Sequence, residues 1–342
     1  MPATNADTGP GLDRGPDPVG LGVMGCADIA VRKILPALAG APGCGLRLTT
    51  VASRSPEKAK ETAARYGARA VTGYAELLAD PEVEAVYVPL PPALRAPWVR
   101  AALDAGKHVL AEKPLTTDPA LTAALAALAG SAGLVLMENY MFVHHTQHRY
   151  VRDLVTDGTI GELRSFQAAF TIPPRPDADH RLDPGLGGGA LLDGAGYPVR
   201  AAQYFLGDDL TVLGADLRLH PDHDVDIAGA ALLRNADGIT AQITFGMEHF
   251  YTSRYQLLGS TGQITVEHAY STPPDHLPVI RIDHQNHQEL RTRPADNQCV
   301  NTLTRFADRV RTGADDGSAT SVAQARIIEA IRRTATPGAK NR

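Results

Sequence analysis

The sequence predicts an α/β fold whose first half is a doubly wound parallel sheet. Between residues 19 and 139, short apolar runs alternate with helical segments, which is the pattern of repeated strand–helix–strand units. After this stretch, strand-like runs outnumber helices, and the change marks a domain boundary near Tyr140. We therefore predict a disordered leader over residues 1–18, a first domain over 19–139 and a second domain over 140–342.

Length and composition exclude several classes of protein. A chain of 342 residues is long enough for two domains. The net charge of -5 offers no basic surface for nucleic acid or anionic membrane. The three cysteines, Cys26, Cys44 and Cys299, have no paired spacing, and no apolar run reaches the ~20 residues of a membrane span. We expect a cytoplasmic protein with neither a disulfide framework nor a zinc cluster.

The first strand and the turn after it predict a dinucleotide site. An apolar strand from Val19 to Met24 runs into Gly25, and a helix follows to about Leu38. Gly25 permits the tight turn, and the amino end of the helix presents N–H groups and a positive dipole to a pyrophosphate. Ala27 stands where a second glycine is usual, which weakens the motif. The predicted cofactor contacts are Gly25, Cys26, Ala27, Asp28 and Ile29.

The end of the second strand, Leu46 to Ser53, predicts which dinucleotide binds. An NAD site usually carries a carboxylate here for the ribose 2′-hydroxyl, whereas this chain has Ser53 and Arg54. A hydroxyl and a guanidinium suit a 2′-phosphate, so we predict a preference for NADP(H). The alternative is an ordinary exposed arginine after a strand.

The later strands of the first half end on polar residues at the edge where such sheets bind ligands. Ala85 to Val88 leads into Pro89, Leu90 and Pro91, a loop expected over the cofactor. His108 to Ala111 stops at Glu112, Lys113 and Pro114, because a proline cannot donate to a sheet. Burial there would lower the pKa of the lysine and make it a proton donor or an electrostatic anchor. The alternative is a solvated lysine. Asn139 and Tyr140 follow the strand Leu134 to Met137 and are expected near the nicotinamide or the substrate.

A glycine-rich segment in the second half carries a second candidate pair. Asp193 and Tyr197 are four residues apart on a helix predicted to start after residues 187–189, so they share a face. A phenol is a weak base but a reasonable acid toward an alkoxide. The alternative is a tyrosine that packs on the sheet. Arg181, just before this segment, is a candidate for a substrate phosphate or a solvated surface residue.

Three histidines lie near the domain boundary, at positions 144, 145 and 148. His144 and His148 are four apart, but no third ligand follows at a recognised spacing, so no metal site is predicted. Beyond them, strands are predicted over residues 161–170, 210–219, 226–233, 239–247, 254–258 and 263–266, with final amphipathic helices over 297–311 and 321–334.

These motifs resemble the Gfo/Idh/MocA oxidoreductases. The resemblance rests on the turn Gly22–Ala30, the proline-rich loop after Val88, the run Ala111–Pro114 and the segment Gly188–Tyr197, in family order and spacing. Within the family, the chain is most similar to actinomycete NDP-sugar C-3 ketoreductases of deoxysugar biosynthesis. The resemblance implies a Rossmann domain, then an α/β domain with a large, mostly antiparallel open sheet. It also implies a cis bond between Lys113 and Pro114.

The resemblance further implies a reaction. A keto group at C-3 of a dTDP-linked keto-deoxysugar would be reduced by NADPH, with Lys113 and Tyr197 as catalytic residues and with Tyr140, Arg181 and Asp193 at the substrate. A homo-oligomer, dimer or tetramer, is expected. Arg95 departs from the family pattern, because many relatives have histidine there. The alternatives are another NADP-linked sugar or diol dehydrogenase of the family and a cofactor-sensing regulator without chemistry.

Overall fold

The computed structural model describes residues 17–314 and 317–337. The predicted leader therefore lies almost wholly outside the described residues. The first half forms a parallel sheet of six strands in the order β3-β2-β1-β4-β5-β6, which confirms the doubly wound prediction. Its strands are β1 Val19–Met24, β2 Leu46–Ser53, β3 Arg69–Thr72, β4 Ala85–Val88, β5 His108–Glu112 and β6 Leu136–Asn139.

Helices connect these strands and begin where capping residues favour them. Ser55 accepts a hydrogen bond from the backbone N–H of Lys58, and Asp118 accepts one from Ala120. The first connection is a π-helical turn, Ala30–Ile34, that continues as α1. The α-helices of this half are α1 Leu35–Gly40, α2 Pro56–Tyr66, α3 Tyr74–Leu78, α4 Pro92–Asp104 and α5 Pro119–Ser131.

The second half contains the predicted large sheet, in the order β14-β13-β12-β11-β7-β10-β9-β8-β15. Its pairs are antiparallel except β7 with β10 and β8 with β15. Alternate residues of β7, such as Phe166 and Ala168, are buried under helices, as the period of a strand requires. The strands are β7 Leu163–Thr171, β8 Thr211–Leu219, β9 Asp226–Arg234, β10 Thr240–Gly246, β11 Thr252–Gly259, β12 Gly262–Glu267, β13 Val279–His284, β14 Gln288–Thr292 and β15 Thr336–Pro337.

The helices of the second half differ from the prediction in one important place. The single helix expected through Asp193 and Tyr197 is wrong, because Gly194 and Ala195 separate two helices. The α-helices are α6 Thr146–Thr156, α7 Ala190–Asp193, α8 Gly196–Leu206, α9 Gln298–Thr312 and α10 Ser318–Thr334. Short 3-10 turns cover Met141–His144, His180–Leu182 and Pro184–Leu186.

The last two long helices join the halves. On α9, Leu303 and Phe306 are buried in the same core as Ile34 and Leu35 of the first half. On α10, Ile327 and Ile331 belong to the core under the large sheet. Buried apolar surface of this kind is the main source of folding stability. Within the described residues, no helix has the length and apolar character needed to span a membrane.

Candidate active site

A cavity of about 450 Å³ opens at the carboxyl edge of the parallel sheet and extends to the second half of the chain. Parallel sheets bind ligands at this edge. Both candidate catalytic side chains line it, together with the cofactor loops and a set of basic residues. Its walls include Ala27, Asp28, Ile29, Arg32, Pro89, Leu90, Pro91, Pro92, Arg95, Glu112, Lys113, Phe170, Ile172, Arg175, His180, Arg181, Asp193 and Tyr197.

The turn after β1 fits a dinucleotide. Gly25 has a φ of 107°, which only glycine adopts without strain, and its N–H donates to the carbonyl of Ala52. Ala27, Asp28 and Ile29 line the cavity beside it. The helical segment that follows has no side-chain cap at its amino end, so its first N–H groups can serve a phosphate. Cys26 lies off the cavity wall, with its Sγ 3.5 Å from the carbonyl oxygen of Lys58.

Ser53 and Arg54 end the neighbouring strand. The Ser53 hydroxyl accepts a hydrogen bond from the N–H of Ser55, and the Arg54 side chain is exposed close to Tyr74. Neither residue is part of the cavity wall around Lys113. Their position at the end of β2 is the one where dinucleotide-binding sheets hold the adenosine ribose.

The proline-rich loop and the loop after β5 are held together by Arg95. This side chain is only 2% exposed, and its guanidinium donates to the carbonyls of Leu90 and Pro114. Burial lowers the pKa of Arg95 to about 10, so the group remains charged at neutral pH. The Lys113–Pro114 bond is cis, as the resemblance implied. The arginine that departs from the family pattern thus supports both loops.

Glu112 is largely buried in the wall of the cavity. Its Oε1 accepts hydrogen bonds from the hydroxyl of Tyr87 at 2.8 Å and from Nδ2 of Asn139 at 2.6 Å. Asn139 is almost fully buried and is not part of the cavity wall, which argues against its predicted contact with a cofactor. Asn139 is buried because it is the last residue of β6 and not part of a loop. Its side-chain amide points toward Glu112 on the adjacent strand β5. Asn139 supports Glu112 from behind.

Lys113 and Asp193 form a partly buried ion pair that joins the two halves of the chain. The Lys113 Nζ lies 2.8 Å from Asp193 Oδ1 and 2.9 Å from the Asp193 carbonyl oxygen. The two side chains are 11% and 18% exposed. An ammonium carries three N–H donors, so one remains for an oxygen of a ligand in the cavity.

The charges of this pair shift the pKa of Lys113 in the direction opposite to the one predicted from the sequence. Burial, the largest single influence, would lower the pKa of Lys113, but the charge and hydrogen bond of Asp193 together with Tyr197 outweigh it, and the pKa is raised. Burial would likewise raise the pKa of Asp193, but Lys113 and Arg181 hold it well below its usual range. The prediction of a lowered lysine pKa is therefore wrong, and Lys113 is a stable cation at neutral pH.

Tyr197 is fixed beside this pair by aromatic packing. Its ring centroid lies 4.4 Å from that of Phe170 and 5.6 Å from that of Tyr140, and the Lys113 Nζ lies 4.9 Å from it. Burial raises the pKa of the phenol, with Lys113 opposing the shift, so the hydroxyl is protonated at neutral pH. Within the described residues, the hydroxyl has no hydrogen-bond partner and is available to a ligand.

Tyr140, a predicted substrate contact, and His148, one of the three histidines near the domain boundary, are both buried and do not line the cavity. Tyr140 is 2% exposed, and its hydroxyl accepts a hydrogen bond from Gln324 at 2.7 Å, so direct substrate contact is not supported. His148 is enclosed between the Tyr255 hydroxyl and the carbonyl of Ala269, and burial lowers its pKa to about 3. Their burial follows from the 3-10 turn and helix that carry the chain away from the sheet edge after β6.

Arg181 reaches the cavity but is already engaged by two carboxylates. Its Nε donates to Asp193 at 2.8 Å, and its Nη1 donates to Asp179 at 3.1 Å. Sequence reasoning did not single out Arg175 and His180, which also line the cavity. Both residues are exposed there. Their positions in an irregular segment after β7 left no periodic signal to identify them.

Comparison with known proteins defines the class. The model for the oxidoreductase family with an NAD-binding Rossmann fold, Gfo/Idh/MocA, matches residues 19–140, and the model for the Gfo/Idh/MocA C-terminal domain matches residues 148–265. The chain belongs to the Gfo/Idh/MocA oxidoreductase family.

Among its relatives are two proteins named dTDP-3,4-didehydro-2,6-dideoxy-alpha-D-glucose 3-reductase. The one from Actinomadura kijaniata is 48% identical over 92% of this chain and 95% of its own length. The one from Streptomyces violaceoruber is 49% identical over the same shares. A solved structure of KijD10, a 3-ketoreductase from Actinomadura kijaniata in complex with NADP and TDP-benzene, is similar with a TM-score of 0.90 and 48% identity, covering 94% of this chain and 99% of that one.

Proposed function

We propose that this protein is an NADPH-dependent sugar 3-ketoreductase that acts on a dTDP-linked 3,4-diketo-2,6-dideoxyhexose. The observation that carries the proposal is the convergence of Lys113 and Tyr197 in one cavity with the dinucleotide turn. Four relatives at 45% to 49% identity over 92% of this chain carry the name of that activity, which supports the substrate class.

The fit of the cofactor rests on residues of this chain. Gly25 to Ile29 would hold the pyrophosphate, and Ser53 with Arg54 would bind the 2′-phosphate that distinguishes NADPH. The loop Pro89 to Pro91 would cover the nicotinamide half. When bound, NADPH supplies the hydride for the C-3 carbonyl carbon.

Lys113 stabilises the charge that develops on the carbonyl oxygen. Its free N–H donates to that oxygen, and its raised pKa keeps it cationic throughout the neutral range. Asp193 holds the ammonium in position through two hydrogen bonds and compensates its charge before the substrate arrives. Pre-organisation of this kind lowers the barrier because little reorientation is needed during reaction.

Tyr197 is the proposed proton donor. Its protonated phenol lies beside Lys113 and can deliver a proton to the new alkoxide oxygen, directly or through the lysine. Solved variants of KijD10 replace one lysine or one tyrosine. The same number of residues separates those two positions as separates Lys113 from Tyr197, which supports the assignment.

The nucleotide end of the substrate needs cationic partners. Arg181 is shared between two carboxylates, whereas Arg175 lines the same cavity with an exposed side chain. His180 also lines the cavity, and because burial and Arg181 lower its pKa it would serve a phosphate oxygen as a neutral N–H donor. We assign the substrate diphosphate to this basic side of the cavity, with Arg181 also positioning Asp193.

The test of the function compares NADPH oxidation with a panel of dTDP-ketosugars against NADP⁺ reduction with free aldoses or diols. We expect turnover only with the dTDP-linked keto sugars, and a lower KM for NADPH than for NADH. Turnover of free aldoses with NADP⁺ instead would favour the sugar or diol dehydrogenase. Cofactor binding without turnover of any substrate would favour a regulator.

The assignment of the two catalytic groups predicts the behaviour of a double variant. We expect Lys113→Met with Tyr197→Phe to lower the rate of hydride transfer by about 10² to 10³-fold, the usual cost of removing a charge-stabilising donor. Single-turnover absorbance of NADPH measures this step. Lys60→Met, an exposed lysine on α2, is the matched control and should react at the normal rate. An unchanged rate in the double variant would reject both assignments.

A role in deoxysugar and antibiotic biosynthesis, a cytoplasmic location and a homo-oligomer of two or four chains complete the proposal. The open face of the large sheet supports the oligomer, since it exposes apolar residues such as Leu213, Leu232 and Leu258.

A further inference from the structure

A cluster of two histidines and one glutamate lies on the β13–β14 hairpin, outside the cavity described above. Residues 285–287 join the two strands, and the N–H of His284 donates to the carbonyl of His287 at 2.9 Å, so Gln285 and Asn286 form the tip of the turn. Within the described residues, His284, His287 and Glu289 are the one group whose ligand atoms lie together, all within 4.8 Å of one another.

The register of the hairpin produces this cluster. Asp283 pairs with Gln288 and Ile282 with Glu289, so His284 lies opposite His287 at the turn. Side chains two residues apart on a strand share a face, which places the two imidazoles and the carboxylate on the side of the buried Ile282. The backbone register therefore brings the three side chains to one face of the hairpin.

The distances suit a small divalent cation. The Nε2 atoms of His284 and His287 each lie 3.6 Å from the same oxygen, Glu289 Oε1. In a tetrahedral zinc site with bonds of about 2.0–2.1 Å, neighbouring ligand atoms are separated by about 3.3 Å. The two imidazole rings are stacked with their centroids 4.5 Å apart, and all ligand atoms of the cluster lie within 4.8 Å of one another. A rotation of the two rings toward the carboxylate would bring both nitrogens and the oxygen to one metal ion.

Neighbouring residues orient the ligands, as the outer shell of a metal site does. Arg291 donates to Glu289 Oε2 at 2.8 Å, which leaves Oε1 for the cluster, and Arg291 is itself held by the hydroxyl of Tyr150 at 3.2 Å. A Cβ on Gly262 would lie 3.2 Å from the His284 Nδ1, so this ring packs over the glycine with Nε2 turned to the carboxylate.

We propose that His284, His287 and Glu289 form a zinc site with an open fourth position for water. Two neutral imidazoles and one carboxylate are a donor set that Zn²⁺ accepts. No metal ligands were predicted from the sequence, where only the histidines near residue 145 were considered. The zinc ion would cross-link the two strands at the sheet edge and stabilise the hairpin by mass action.

The test is isothermal titration of the untagged full-length protein with ZnCl₂. We expect one zinc per chain, with affinity lowered at least tenfold in His287→Ala and several-fold in Glu289→Gln, which keeps the side-chain shape. His223→Ala is the matched control, because His223 contacts His220 near Glu248 without forming a three-ligand group. Its affinity for zinc should be that of the unchanged protein.

Three outcomes would overturn the proposal. The first is that the unchanged protein binds no zinc. The second is that His287→Ala and Glu289→Gln bind zinc as tightly as the unchanged protein does. The third is that His223→Ala loses as much zinc affinity as His287→Ala, which would indicate general histidine binding. Circular dichroism of each variant verifies the fold. Zinc binding is measured without NADPH oxidation. A failure of the zinc proposal can therefore be distinguished from a failure of the proposed reductase activity.

Discussion

At the scale of single residues, the pKa of Lys113 depends on the carboxylate of Asp193. Burial acts to lower the pKa of the lysine, and the charge and hydrogen bond of the adjacent Asp193, with Tyr197, together raise it above its ordinary value. Arg181 also lies nearby and opposes the lysine charge. The protonation state of Lys113 at a given pH therefore depends on Asp193 and not on the lysine alone.

This balance predicts a pH effect for Asp193→Asn. Without the carboxylate, burial and Arg181 both act to lower the pKa of Lys113, so the lysine loses its proton at lower pH. The limb on which kcat falls as pH rises should move to lower pH, and kcat at neutral pH should fall about tenfold or more. The pH profile of kcat with the dTDP-keto sugar measures it.

Asp179→Asn is the matched control for this effect. Asp179 contacts the same arginine but is not among the groups that shift the pKa of Lys113. Its profile should keep the alkaline limb of the unchanged enzyme. A limb at the same pH in both variants would show that Asp193 does not control the lysine.

At the scale of elements, the site depends on loops at the ends of β4 and β5. Arg95 on α4 is buried and donates to one carbonyl in each of these loops, so a single guanidinium sets their separation. A buried carbonyl that loses its donor costs about 1–3 kcal/mol. The helix thus positions the cofactor cover without touching the reacting atoms.

We expect Arg95→Met to lower the unfolding free energy by about 2–4 kcal/mol and to raise the KM for NADPH about tenfold, with a smaller effect on kcat. Denaturant titration and initial rates measure the two effects. Arg100→Met, an exposed position on the same helix, should change neither. If Arg95→Met lowered stability with KM unchanged, the arginine would be structural only.

At the scale of the whole molecule, one buried network joins the two sheets. Arg200 on α8 is 8% exposed and donates to Glu138 of β6 at 2.6 Å and to Ser321 of α10 at 3.2 Å. The other Glu138 oxygen accepts from the N–H of Leu115, two residues after Lys113. The network therefore connects the relative position of the halves to the catalytic loop.

We predict that Arg200→Met lowers the unfolding free energy by about 3–5 kcal/mol, because it leaves a carboxylate buried without its partner. Guanidinium titration followed by tryptophan fluorescence of Trp98 measures the change. Arg332→Met removes an exposed pair with Glu329 and should cost less than about 1 kcal/mol. Equal losses in both variants would contradict a special role for the buried network.

Much of the fold could be predicted because local patterns carry it. The six parallel strands follow apolar runs that end on glycine, proline or charged residues, and Ser55 and Asp118 mark helix starts. Strands β13 and β14 were missed because three of six residues in β13 and four of five in β14 are charged or polar, and the runs are short. The π-helical turn after Gly25 also has no sequence signal.

By itself, the sequence determined the strand–helix alternation, the family motifs and the candidates Lys113 and Tyr197, whereas the cis peptide before Pro114 was implied by the family resemblance. Only the tertiary structure decided that Asp193 raises the lysine pKa from 80 residues away, that Asn139 and Tyr140 face inward, and that Arg95 supports two loops. The physical reason is the distance along the chain over which each property is determined. Element type depends on neighbours within a few residues, whereas burial and charge pairing depend on how distant elements pack.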